Sequence, residues 1–313
     1  MSSFLFAVDR VLPLFLMVLV GALMKRLGWI NDTVLPSLNK ICFYLLLPCL
    51  ILDSALNSDI TSITSPLMYV YAVLAYTLFV LALVLFSRRF IPDRARAGAF
   101  VHASFRPNTV LIGLPLIISV LGSDRALPAV LLVVLLNPCD NVYGILTLQY
   151  FSRRKDHDLR QDLLELIRNP MVISAFLGIG CMLLPCELPR FLTYTVSSFG
   201  GASLPVSMLI IGARFELSSL REDAPLVLLS GFIKLILMPT LIAAGGWLLG
   251  VRGLELFSLW MVLAMPTAAI SSVITGLMGC DGHLGDEMTI ASTALSTFTM
   301  IAGISLFAAA GVI

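Results

Sequence analysis

"FRPNTVLIGLP", Phe105 to Pro115, interrupts an apolar run with an arginine, an asparagine, a threonine and two prolines. A helix in hydrocarbon has to satisfy its own backbone hydrogen bonds. Each proline removes a donor and frees a carbonyl that then needs another partner. The stretch therefore reads as an interruption of a spanning helix, where a ligand can use the freed groups.

The membrane setting follows from composition. Of 313 residues, 58% are hydrophobic and only 12% charged, with a mean hydropathy of +0.98, far from an ordinary soluble domain. The formal net charge is +1 and the charges sit in short clusters, so the lipid bilayer is the expected partner, and nucleic acid is not. The N-terminal run from Val11 to Leu23 has its denser positive cluster, Lys25 and Arg26, after the apolar core. That is the reverse of a signal peptide and reads as a first spanning helix.

Six cysteines without a CxxC pair or a histidine cluster give no reason to expect a metal or other cofactor. They read as packing residues, with a Cys181–Cys186 disulfide as the minor alternative. His102, His157 and His283 show no ligand spacing and receive no role. No GxxxxGK[ST] loop is present, which removes direct nucleotide energisation. Neither HExxH nor paired aspartates within spans is found, and "SSFGGAS" (Ser197 to Ser203) has no obvious partner histidine. An intramembrane enzyme is therefore disfavoured.

At about 20 apolar residues per crossing, ten segments are expected: 8–24, 35–56, 67–86, 98–121, 126–151, 172–184, 204–215, 226–249, 254–278 and 288–312. The sixth and seventh are short. Residues 188–202, with Pro189, Gly200 and Gly201, either lengthen the seventh or form a re-entrant turn. Alternate loops carry Lys25 and Arg26, Arg88 to Arg96, Arg153 to Arg168, and Arg214 and Arg221, against Arg10, Arg125, Arg190 and Arg252 on the other side. The positive-inside rule then puts both termini outside. Lys40 and Lys234 lie early in their spans and read as snorkelling to the interface.

"KDHDLRQDLLELIRNP" (Lys155 to Pro170) gathers Leu159, Leu163, Leu166 and Ile167 on one helical face, as an interfacial cytoplasmic helix would. It divides the chain into 1–152, a linker 153–170, and 171–313. Each half holds five expected crossings, so the second must run inverted. "LLLPCLIL" around Pro48 echoes "ASLPVSMLII" around Pro205, and "IGLPLIIS" around Pro115 echoes "LAMPTAAISS" around Pro266. Broken helices at matched positions of an inverted repeat point to a transporter binding site.

Taken together, "RPNTVLIGLPL" (Arg106 to Leu116), "YLLLPCLIL" (Tyr44 to Leu52), "LPVSMLIIGARF" (Leu204 to Phe215), "FIKLILMPTLI" (Phe232 to Ile242) and "LAMPTA" (Leu263 to Ala268) resemble the auxin efflux carrier family. The family groups plant auxin exporters with bacterial carriers of malonate, malate and related acids. The resemblance implies an all-α integral membrane fold of ten transmembrane helices. These would form two inverted five-helix repeats with broken crossover helices 4 and 9, similar to the sodium/bile-acid symporters. It further implies substrate binding at the crossover, between a scaffold and a mobile transport domain, and suggests a homodimer. The long hydrophilic loop of many plant members is missing here. So is the second proline they carry near Ser271 and Ser272.

On this sequence the crossover would be built from Asn108 to Pro115 and from Pro266 to Ser272. The expected substrate-binding residues are Asn108, Thr109, Gly113, Pro115, Pro266, Thr267, Ser271 and Ser272, with Thr275 a further lining candidate. Amides and hydroxyls hold a carboxylate without the cost of burying an ion, and helix N-termini add positive potential. Arg106 lies nine residues before Pro115, roughly 13 Å along a helix, which makes it an anion attractor at an entrance or just behind the direct contacts, the alternative being a side chain that snorkels to the interface. Asp140, between Asn137 and Asn141, is the acidic residue well inside a span. Such carboxylates mark ion or proton pathways, so these three form the expected coupling site for a proton or sodium ion, the alternative being a structural ion pair of Asp140 with Arg106 or Lys234. The function expected is secondary transport of a small organic anion across a bacterial inner membrane. A channel or receptor is the alternative.

Overall fold

The computed structural model describes residues 3–31, 33–57, 66–152, 170–183, 188–214, 223–268 and 271–313. The amphipathic segment, His157 and Cys186 lie outside these residues. Within them every named element is helical: α1 (Ser3–Arg26), α2 (Val34–Ile41, continuing through Cys42–Leu46 into Leu47–Leu56), α3 (Pro66–Phe90), α4 (Arg94–Phe105), α5 (Leu114–Leu121), α6 (Leu127–Phe151), α7 (Pro170–Leu183), α8 (Arg190–Arg214), α9 (Ala224–Phe232, through Ile233–Leu237 into Met238–Leu248), α10 (Gly253–Ala264), α11 (Ser271–Leu277) and α12 (Gly282–Ala309).

Seven helices among the described residues are long and apolar enough to cross a membrane, against the ten segments expected. The difference has a physical cause. Two of the expected spans are each divided in two, α4 with α5 and α10 with α11, and neither half reaches the ~20 residues a crossing needs. A third, α7, is described over 14 residues only. The ambiguity at 188–202 resolves as a lengthened helix, since α8 runs 25 residues through Pro205. A Cβ on Gly200 would sit 3.1 Å from the Leu50 backbone, so this glycine serves close packing on α2.

Three helices contain a wide π turn, and each turn ends two residues before a proline: Cys42–Leu46 before Pro48, Thr109–Gly113 before Pro115, and Ile233–Leu237 before Pro239. A proline in a helix cannot donate, and its ring clashes with the carbonyl four residues back. Widening lets the residue before the proline donate five residues back: Leu47 to Cys42 O, Leu114 to Thr109 O and Met238 to Ile233 O. Pro115 is thereby absorbed near the start of α5 and breaks nothing, contrary to the sequence expectation.

The breaks fall at Pro107 and Pro266. A residue preceding proline is driven to extended backbone, and both Arg106 (φ −71°, ψ 107°) and Met265 (φ −60°, ψ 147°) adopt it. The two extended pieces pass antiparallel in a single bridge between Pro107 and Thr267. Asn108 N–H donates to Pro266 O at 2.7 Å, and Ala268 N–H to Arg106 O at 3.2 Å. Each break thus satisfies groups freed by the other, which an apolar interior demands.

The helices pack as two bodies. One joins α1, α2, α7 and α8; the other holds α3 to α6 and α9 to α12, with α1 against α12 as the main seam. Within the first body α1 and α8 touch backbone to backbone, because a Cβ on Gly212 would lie 1.9 Å from Val18 O and one on Gly21 2.3 Å from Leu209 O. One end of the second body collects the start of α4, the end of α6, the start of α9 and the α11–α12 connection. There Asp281 N–H donates to Ala95 O, Ser152 Oγ to Met278 O, and Arg96 pairs with Asp223.

Candidate functional site: the helix crossing

The freed carbonyls at the ends of α4 and α10 have side-chain donors. Thr267 Oγ1 donates to Ala103 O at 2.8 Å, Tyr76 OH lies 3.3 Å from Phe105 O, and Lys234 Nζ donates to Leu263 O at 2.7 Å. On the amide side, Asn108 Oδ1 accepts from Leu111 N–H and Ser292 Oγ from Thr267 N–H. Asn108 is 5% exposed, and with its oxygen used as a cap, its NH2 is the group left to donate to a ligand.

Behind the crossing lies a buried polar cluster. Asp140 is 1% exposed; Oδ1 accepts from the Tyr76 hydroxyl, and Oδ2 has no hydrogen-bond partner among the described residues. Arg106 Nη2 donates to Asn141 Oδ1 at 2.6 Å, and its Nη1 lies 3.3 Å from His102 Nε2. On the far side of the ring, Nδ1 is 3.1 Å from Thr275 Oγ1, whose hydrogen is given to Ser271 O at 2.7 Å. With that hydrogen committed, Thr275 accepts, so His102 carries its proton on Nδ1 and Nε2 accepts from Arg106. One directed chain then joins the first break to α11. Gly144 makes room for it, since a Cβ there would meet His102 Nε2 at 3.0 Å and Arg106 Nη1 at 3.3 Å.

Several sequence expectations change here. Arg106 stands in the break itself, 9% exposed; its guanidinium turns to α6 and His102, which excludes the entrance and the snorkelling placements and leaves the one behind the direct contacts. Lys234 is fully buried and does not snorkel; Lys40 is exposed. Neither Arg106 nor Lys234 makes a direct ion pair with Asp140 among the described residues, although both act on it through space. His102, given no role, is a connecting residue.

Of the expected contacts, Asn108, Thr109, Pro266 and Thr267 meet at the crossing. Gly113 lets Met265 approach, with Cγ 3.2 Å from where a Cβ would stand. Pro115 lies a turn and more away, in α5. Ser271 Oγ is buried without a partner among the described residues. Ser272 packs on Gly285 of α12, its Cα 3.2 Å from that residue's would-be Cβ. Asn137 is half-buried about one turn before Asn141. Sequence reasoning missed Tyr76, for which no pattern speaks, and read Lys234 first as snorkelling, although its position inside a span was a signal in itself.

A cavity of about 30 Å³ opens at the seam between the two bodies, beside the crossing. Ile112, Leu116 and Pro266 line it from the broken helices, Thr293 and Ser296 from α12, and Met208 from α8. It is large enough for about one water.

Over 300 residues the chain is 24% identical to an uncharacterized transporter of Methanothermobacter thermautotrophicus, covering 95% of this chain and 97% of that one. It also matches the membrane transport protein family over residues 6–159 and 157–303, which together take in nearly its whole length. With that match, and with two of the five auxin-efflux-carrier motifs, Arg106 to Leu116 and Leu263 to Ala268, seated on the paired broken helices, the chain belongs to the membrane transport protein family, the auxin efflux carrier type.

Proposed function

We propose that this protein is a secondary transporter, and not an enzyme, that carries a small organic anion, a mono- or dicarboxylate such as malonate or malate, by alternating access. The observation that carries the reading is the antiparallel pairing of two broken helices at Pro107 and Thr267, with a buried carboxylate behind it. The anion is held at the crossing by the Asn108 amide and by N–H groups that the helix start at Thr109 leaves free. Arg106 and Lys234 supply positive potential from behind. Asp140, with Asn137 and Asn141 nearby, takes up the coupling proton or sodium ion on Oδ2.

On this reading the chain crosses a bacterial inner membrane ten times as two inverted repeats with both termini outside. The gathering of the start of α4, the end of α6, the start of α9 and the α11–α12 connection at one end supports that alternation. The body of α1, α2, α7 and α8 is the scaffold against which the other moves, and two scaffolds pack in a homodimer. A channel would need a continuous polar path, and the apolar seam beside the crossing favours a carrier.

Purified protein in liposomes, given radiolabelled malonate, malate or indole acetate under imposed proton or sodium gradients, tests the reading. The expected result is saturable uptake of one acid, stimulated by one gradient, with the stimulation lost in Asp140→Asn. Equal stimulation of wild type and variant removes Asp140 from the coupling role. No saturable uptake of any acid contradicts the substrate class.

A further inference from the structure

We propose that Tyr76 is a positioning residue that relays the charge state of Asp140 to the helix crossing, by giving its single hydroxyl hydrogen either to Asp140 or to the Phe105 carbonyl. A phenol has one hydrogen, and here two acceptors compete for it: Asp140 Oδ1 and Phe105 O. Tyr76 and Phe105 are fully buried and Asp140 is 1% exposed. The ring is held against Phe105 and Tyr143, with centroids 6.1 and 5.9 Å away.

The second acceptor is what gives the contact a consequence. Phe105 ends α4, and the next carbonyl, that of Arg106, accepts from Ala268 N–H across the crossing. An ionised carboxylate outcompetes a neutral carbonyl, since charge-assisted hydrogen bonds are roughly twice as strong. Once a proton or cation occupies Oδ2, that advantage disappears and the hydrogen passes to Phe105 O. The end of α4 is then anchored to α3, and the crossing tightens.

The other broken helix is anchored alike. Lys234 caps Leu263 O near the end of α10, and it follows Tyr76 by the same 158 residues by which Leu263 follows Phe105. Two donors thus hold carbonyls at nearly the same place in the two broken helices, two residues before Pro107 and three before Pro266, and both donors act on Asp140. The other ionisable groups acting on or beside this carboxylate are Arg106 from the break and Cys139 and Tyr143 from its own helix.

The relay rests on the coupling role given to Asp140, so its test needs no substrate. Amide hydrogen exchange over 106–113 and 266–268 is measured in nanodiscs for wild type, Asp140→Leu, Tyr76→Phe and the double variant. Leucine leaves Tyr76 only the Phe105 carbonyl. The expected result is a protection gain of roughly fivefold, the worth of one neutral hydrogen bond, that vanishes when Tyr76 is phenylalanine. Asp140→Asn, whose amide still accepts, falls between, and it carries the cycle if the leucine variant does not fold. A gain of equal size with and without the hydroxyl, or no gain, overturns the relay. A wild type that shows the cycle yet carries no acid refutes the transport reading and supports the relay; one that carries acid without the cycle overturns the relay.

Discussion

Gly212→Val is expected to yield almost no monodisperse protein. The added Cβ would lie 1.9 Å from Val18 O and 2.8 Å from Ala22 N, both backbone atoms of α1 that cannot turn aside. The two helices would have to separate along the contact that organises the first body, and overpacking against backbone costs about 3 kcal/mol or more. Gly201→Ala on the same helix is the control, because nothing lies within 4 Å of its Cβ. Size-exclusion recovery after detergent extraction reads the difference. Equal recovery of the two variants would contradict the close α1–α8 crossing.

Lys234→Met is expected to fold and to lose transport. Methionine keeps most of the length and removes the ammonium, so Leu263 O loses its donor and Asp140 loses one of its two neighbouring cations. Losing a charged hydrogen bond and leaving a buried charge less compensated together cost about 2–4 kcal/mol. The expected readout is a lower melting temperature together with uptake reduced roughly a hundredfold, as befits an ionisable residue in a membrane interior. Adding Asp140→Asn should restore part of the stability and none of the coupling, because it removes the charge left behind. Strictly additive losses in the double variant would mean that the two residues do not sense each other.

The all-helical membrane fold was legible because apolar runs of membrane length leave few alternatives, and the transporter family because its motifs recur along nearly the whole chain. The location of the breaks was not. Pro107 and Pro115 impose the same restraint on the residue before them, yet Arg106 is extended while Leu114 (φ −56°, ψ −50°) stays helical. What decides is whether freed backbone groups find partners. Those of Pro107 are met by Pro266 and its neighbours far along the chain, and those of Pro115 by a π turn in its own helix. The prolines at the two bridged breaks, Pro107 and Pro266, lie 159 residues apart, nearer the 157 between Pro48 and Pro205 than the 151 between Pro115 and Pro266. Lys234 was misread for a related reason: depth along a span says nothing about which face of the helix is buried. His102 and Arg106, four residues apart, do share a face of the chain as it leaves α4, and that spacing was available to the reader of the sequence.

In the function proposed above, the crossing holds the anion through the Asn108 amide. Its most direct test is the concentration dependence of radiolabelled malonate and malate uptake by Asn108→Ala in liposomes, beside wild type, with melting temperatures showing that both are folded. The expected result is a ten- to hundredfold loss of uptake at low concentration, about what one hydrogen bond to a charged group contributes, with only a small loss of stability from the missing cap. Saturable uptake at wild-type affinity in the variant would contradict it and move the binding site away from the crossing.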